Sequence, residues 1–231
     1  MSGMKTLLTG LCAIVISGAA NAAPFQNGDF ESGPAIASPP GLVELASGNT
    51  SITGWTVLNS GLGYVGDYWV AQSGVRSVHL NGSSGASAIQ QTFDTIAGVT
   101  YTVAFFLAGH PAFEDDKGHA VSDKDKSLRY RVEGTSGLIT QGFIDFPQLN
   151  QTLADMGWIP VAFTFIADGT SATLEFKSQM GGAYGPAIDN VSVSSGEVTV
   201  VPLPMALPLF AAGLGALGII RRRRDRTNEN V

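Results

Sequence analysis

The chain has 231 residues, with 13 Lys and Arg against 19 Asp and Glu, a formal net charge of −6 and a single cysteine. So acidic a chain is a poor match for nucleic acid or anionic membrane surfaces, and one thiol excludes a disulfide framework. The charge is also unevenly placed: residues 23–200 carry 7 cations and 17 anions, a net of about −10, whereas residues 201–231 are basic.

Residues 1–22 read as a secretory signal peptide. Lys5 gives the positive start, Leu7 to Ile16 the apolar stretch, and Ala20-Asn21-Ala22 a small-residue cleavage site. Cys12 lies inside the apolar stretch after Leu11, which does not suit lipidation, and it leaves with the leader. The exported chain then has no cysteine and relies on its core, with or without a bound metal.

The body, residues 23–200, is long enough for one domain with a sizeable core. It is written in period two. Leu128, Tyr130 and Val132 alternate with Arg129, Arg131 and Glu133, and Ala172, Leu174 and Phe176 with Thr173, Glu175 and Lys177. These predict half-buried strands, whereas Thr100 to Ala108, apolar on both faces, predicts a central one. Further strands are predicted near Trp55–Val57, Trp69–Ala71, Ser77–Leu80, Ala88–Phe93, Leu138–Phe146, Trp158–Ile166 and Ala187–Val193. Turns are predicted at Asn81-Gly82, Ala97-Gly98, Asp168-Gly169 and Gly181-Gly182. With no helical period in the body, the fold class is all-β, an antiparallel β-sandwich of jelly-roll type.

Two stretches interrupt the strands. Pro34 to Gly48 reads as a loop. His110 to Lys126, with Glu114, Asp115, Asp116, Asp123 and Asp125 among its lysines, reads as an exposed loop or as a cation site, without the register of an EF-hand.

Catalytic motifs are thin. Gly61 to Gly66 and Gly213 to Gly218 have dinucleotide G-x-G-x-x-G spacing, but neither has the required strand, turn and helix around it. His79, His110 and His119 have no metal-ligand spacing, and there is no G-x-S-x-G elbow. Paired carboxylates for glycoside hydrolysis are a matter of folded geometry. The expectation is that the chain is not an enzyme.

Trp55, Tyr64, Tyr68 and Trp69 fall within fifteen residues. Planar rings suit the C–H faces of a sugar, and they also fill cores; they are the candidate ligand-binding residues. Tyr68 and Trp69 are adjacent, so on a strand at most one faces a ligand. Trp158 is assigned to the core.

The two ends of the body carry its informative polar residues, in Asn27-Gly28-Asp29-Phe30-Glu31 and Gly185-Pro186-Ala187-Ile188-Asp189-Asn190-Val191. Asp189 interrupts an apolar strand, and a buried carboxylate needs a partner. Calcium is one candidate, since outside the cell it takes carboxylate and carbonyl oxygens. Backbone hydrogen bonds or a turn cap serve equally.

The tail begins with Val201, Pro202, Leu203 and Pro204. An uncharged run from Met205 to Ile220 follows, then Arg221, Arg222, Arg223 and Arg224. As a helix the run reaches roughly 24 Å, short against a hydrocarbon core of about 30 Å, and flanking arginines narrow the gap by snorkelling. A single transmembrane helix over 205–220 is predicted, oriented by the arginines on the cytoplasmic side.

Proline motif, Gly-rich span and arginine cluster together resemble the bacterial PEP-CTERM sorting signals in the VPLPA variant, with Met205 and Leu203 departing from the usual residues. That resemblance implies an exosortase as partner, the inner membrane of a Gram-negative bacterium during sorting, and then the cell surface or extracellular matrix. The body resembles a second family. Asn27–Glu31, Trp55, Ser77-Val78-His79-Leu80-Asn81-Gly82, Gln90-Gln91-Thr92-Phe93, Ala104 to Pro111 and Ala187–Val191 are similar to the choice-of-anchor C family, itself related to plant cell-wall proteins of domain-of-unknown-function family 642. It implies a galactose-binding-like jelly roll, as in carbohydrate-binding modules, with a structural calcium held by Glu31 and Asp189. His110 stands where that family usually has asparagine.

The expectation is therefore an exported, non-catalytic surface protein that binds or organises polysaccharide. An envelope or biofilm protein with protein partners is the alternative, and a glycan-active hydrolase a further one. The link Ser194 to Val200 spans little more than about 20 Å when extended, so an uncleaved tail would hold the body against the bilayer. Processing near Val201–Pro204 is expected.

Overall fold

The computed structural model describes residues 23–111, 125–148 and 151–196. The leader, residues 112–124 of the acidic loop, and the whole tail (Val201 to Pro204, the 205–220 run and Arg221 to Arg224) lie outside the described residues. Within them the chain forms strands β1 (Leu42–Leu45), β2 (Thr56–Asn59), β3 (Leu62–Val65), β4 (Ser77–His79), β5 (Asn81–Gly82) and β6 (Gly85–Asp94). They are followed by β7 (Thr100–Gly109), β8 (Lys126–Gly134), β9 (Gly137–Phe146), β10 (Ile159–Ile166), β11 (Ser171–Ser178) and β12 (Pro186–Ser195). No helix among the described residues is long and apolar enough to cross a membrane.

Two antiparallel sheets result, one ordered β1-β3-β4-β12-β7-β10 and the other β2-β6-β11-β8-β9 with β5 on β6. Consecutive strands mostly alternate between the sheets, the habit of a jelly-roll sandwich. The period-two residues meet between them. Phe105 of β7 packs on Phe176 of β11 with ring centroids 4.7 Å apart, and Phe163 of β10 stacks on Tyr130 of β8 at 3.9 Å. Leu128, Val132, Leu174 and Val103 are fully buried in the same core. Thr100–Gly109 is flanked by β12 and β10, as its two-sided apolarity predicts.

Several predicted elements differ. Trp69–Ala71 is not a strand, because the amides that follow it are taken by carboxylates rather than by a neighbouring strand. The supposed loop Pro34 to Gly48 contains β1, which pairs with β3. Strand β3 takes the four middle positions of the G-x-G-x-x-G run, and Gly63 is small there because a Cβ would sit 3.3 Å from that of His79. Asn81-Gly82 forms β5, and its turn falls after it.

The ends of the body meet. Val191 donates its N–H to Gly28 O at 2.7 Å. The approach leaves no room at Gly28 for a side chain, since a Cβ would lie 1.8 Å from Val191 O. In β12 the register shifts between Asp189 and Ser192, and Asn190 takes φ 49°, a conformation that asparagine tolerates better than most residues. The bulge resets the alternation, so that Ile188 and Val191 both point into the core while Asp189 is buried beside loop 66–76.

Candidate functional site

Residues 66–76 connect β3 to β4 and form one wall of the candidate site. They have almost no ladder bonds, so their amides are satisfied from outside. Asp189 Oδ2 accepts from Gln72 N at 2.9 Å and Ser73 N at 3.1 Å, and Oδ1 from Asn190 N at 2.6 Å. Glu31 Oε1 accepts from Val75 N at 2.7 Å and Arg76 N at 2.9 Å. The segment before β10 adds a third grip: Val70 N donates to Leu153 O at 2.9 Å, and Trp158 Nε1 to Val70 O at 3.1 Å. The loop is thus pinned from both ends of the body and from one side.

Between this loop, Ile36 and Ser38 on one flank and Leu153 and Ala154 on the other lies a cleft of about 640 Å³. Tyr68 lines it and is half-buried, with Asp67 and Arg76 as its charged groups and Val70 and Val75 on an exposed apolar rim. Ser38 Oγ donates to Asp67 Oδ2, and the Arg76 guanidinium lies over the Tyr64 ring at 5.8 Å. Burial pushes the Tyr68 phenol above its ordinary value, with Tyr184 adding to the shift, so it stays protonated as a donor. A half-exposed ring beside one cation, one anion and apolar walls suits a ligand with both C–H faces and hydroxyls.

Two of the four aromatic candidates are corrected by their burial. Trp55 is 1% exposed, packed against Phe25, Phe30 and Phe176, with Nε1 donating to Asn27 O at 2.9 Å. Tyr64 is fully buried and donates its hydroxyl to Phe30 O at 2.6 Å. Neither presents a ring face to solvent. Trp69 is 3% exposed, lies at the back of the cleft and donates Nε1 to Ser77 Oγ at 2.8 Å. Tyr68 alone of the four offers substantial surface. Trp158, by contrast, is only partly buried against the core.

Behind Trp69 the structure assembles a pair that sequence spacing missed. His79 and His110 have ring centroids 5.0 Å apart, each 5.4 Å from Trp69. Burial holds both imidazoles below their ordinary value, His79 well below, with Lys126 lowering each further. His79 Nε2 accepts Gly185 N at 3.1 Å, and His110 Nδ1 donates to Pro111 O at 3.0 Å. The pair is neutral and buttresses the aromatic floor. The usable signal was that His110 ends the apolar run Thr100–Gly109 and that His79 sits between the apolar residues Val78 and Leu80.

Glu31 and Asp189, far apart in sequence, come to the same loop. Burial raises the Asp189 carboxyl to about 7, the amides of Ser73, Asn190 and Gln72 oppose this, and the charge of Glu31 adds to it. Carboxylate oxygens are hard donors of the kind calcium takes, but here they already accept from five backbone N–H groups. Among the described residues no group of three or more His, Cys, Asp and Glu side chains stands ready for a metal, so such an ion would draw further oxygens from the loop backbone.

The family described as "Protein of unknown function (DUF642)" matches residues 23–194. Halomucin of Haloquadratum walsbyi is 31% identical over 172 residues, which are 73% of this chain and 2% of that protein, so the chain spans a small fraction of its relative's length. Among solved structures, a family 61 carbohydrate-binding module in complex with β-1,4-galactotriose is similar at TM-score 0.44 and 16% identity, over 77% of this chain and 100% of that one. A family 35 carbohydrate-binding module from Clostridium thermocellum is similar at TM-score 0.42 and 15% identity, over 67% of this chain and 98% of that one. An arabinose-bound α-L-arabinofuranosidase is similar at TM-score 0.48 and 13% identity, over 76% of this chain and 26% of that one. The chain belongs to the DUF642 family.

Proposed function

We propose that this DUF642 protein is a non-catalytic, exported binding module whose cleft at Tyr68 holds a segment of extracellular polysaccharide. The observation that carries the reading is the pinned loop: an aromatic side chain lines a cleft, and its backbone is fixed by Glu31, Asp189 and Leu153. Such pre-organisation lowers the ordering cost of binding, which a weak, hydroxyl-rich ligand cannot easily meet otherwise. Arg76 and Asp67 supply a donor and an acceptor for hydroxyl groups. The leader and tail patterns in the sequence support export, sorting by an exosortase through Val201–Pro204, and release or transfer to the surface. Retention of the purified protein on native gels cast with different polysaccharides tests the binding. At least one polymer retards the wild type, and Tyr68→Ala runs free. Uniform mobility in every gel would refute the reading.

A calcium ion at Glu31 and Asp189 belongs to the same proposal. It would neutralise the paired carboxylates and fix the loop that carries Tyr68. Chelation lowers the melting temperature if the ion is there, and leaves it unchanged if it is not.

A further inference from the structure

A β-sandwich has four outer strands, and unpaired strand edges invite association unless they are blunted by shortness, proline or charge. In this chain β1 and β2 have four residues each. Strand β10 contains Pro160, which has no N–H to offer. Strand β9 is the least protected of the four, with one charge and a bulge only at Ile139, away from its centre. It has ten residues, Gly137–Phe146, no proline, and Asp145 as its sole charge. It pairs with β8 on one side, and among the described residues no backbone group pairs with its other edge. Leu138 is 51% exposed and Phe143 is 63% exposed on the same strand.

The register fixes which side chains share a face. Phe143 stands opposite Arg129 and Gln141 opposite Arg131, on the face away from the core, while Tyr130 lies beneath Gly142 on the inner face. Antiparallel pairing of β9 with a copy of itself must keep outer residues opposite outer residues. A two-fold axis at Phe143 does so. It sets Phe143 opposite Phe143, Gln141 opposite Asp145, and Gly142 opposite Ile144. The two Asp145 carboxylates then sit four residues apart along the strand, about 13 Å, so the one charge that could repel is paired with an amide. Other strand edges would bring more charge or less backbone.

We propose that two copies of this chain join through β9, antiparallel about a two-fold axis at Phe143, giving one sheet continuous across both protomers. The interface is isologous and closes on itself, so it yields a dimer rather than a fibre. It stands independently of what the cleft binds. If the cleft does hold polysaccharide, the dimer presents two clefts to one polymer, and linkage raises apparent affinity without any new contact.

The test uses the full-length chain in a Cys12→Ser background. Self-opposed residues in such a pair have Cβ atoms about 4.5–5.5 Å apart, near disulfide reach. Phe143→Cys therefore cross-links to a covalent dimer under mild oxidation, and Leu138→Cys, away from the axis, cross-links at least tenfold less. In sedimentation equilibrium Phe143→Lys weakens self-association at least tenfold while its melting temperature stays that of the parent. Equal cross-linking at both cysteine positions, or none at Phe143→Cys, overturns the proposal even if Phe143→Lys proves unstable. A protein that is monomeric at every soluble concentration overturns it as well.

Discussion

Asp189 Oδ2 lies 2.9 Å from the backbone nitrogen of Gln72, a residue 117 positions earlier in the chain. That bond ties the last strand of the sandwich to the loop that shapes the cleft, and with its partner at Ser73 it satisfies two amides that no strand reaches. Removing the carboxylate takes away a fully buried acceptor and leaves the amides of half-buried Gln72 and exposed Ser73 without it.

Asp189→Ala is therefore expected to cost about 2–4 kcal/mol of stability. Asp189→Asn, which keeps one acceptor oxygen, costs less. Urea unfolding of the two variants and the wild type measures the difference, and equal midpoints for all three would remove Asp189 from this role.

The pH dependence follows from the same group. An aspartate carboxyl ordinarily titrates near 3.8, and burial holds that of Asp189 up to about 7 in the folded chain. Between those values the folded state keeps a proton that the unfolded chain has already released. Stability from this group is thus fullest below the lower value and falls as pH rises towards the upper one. A bound divalent cation holds the carboxylate ionised and flattens the slope. Melting in chelator at about pH 4.5 and about pH 7.5 is expected to show the loss, and added calcium to abolish it.

The two kinds of aromatic separate cleanly by substitution. Trp55→Ala empties a core site and is expected to cost about 3–5 kcal/mol. Tyr68→Ala, on a half-exposed ring, leaves the melting temperature close to that of the parent while abolishing ligand binding. Chemical denaturation of both variants checks this, and a Tyr68→Ala protein as unstable as Trp55→Ala would place Tyr68 in the core instead.

Where the alternation was clean, as at Leu128–Val132 and Ala172–Phe176, the sequence was enough to place the strands and their inner faces, since period two has one physical meaning. It failed where glycine or tertiary contact overrides pattern. Strand β3 hides in Gly61 to Gly66, and Trp69–Ala71 looks like a strand although its neighbourhood is organised by carboxylates from residues 31 and 189. The importance of Asp189 was legible as a charge in an apolar strand, but not that it grips amides of residues 72–73. Nor could spacing reveal the His79–His110 pair, which β4 and β7 bring together only through β12. Of four clustered aromatics, burial alone tells Tyr68 from Trp55.

The tail gives a prediction of its own. Intact-mass measurement of the protein recovered outside the cell is expected to show a chain beginning near Ala23 and ending near Val201–Pro204. Recovery solely as the intact membrane form would count against processing.

Isothermal titration of wild type and Tyr68→Ala with oligosaccharides of the best-retained polymer decides whether the pinned cleft at Tyr68 binds polysaccharide. Measurable heat of binding is expected for the wild type and at least a tenfold loss of affinity in the variant, about 1.4 kcal/mol, with both proteins melting alike. Binding of equal strength by the two would contradict it.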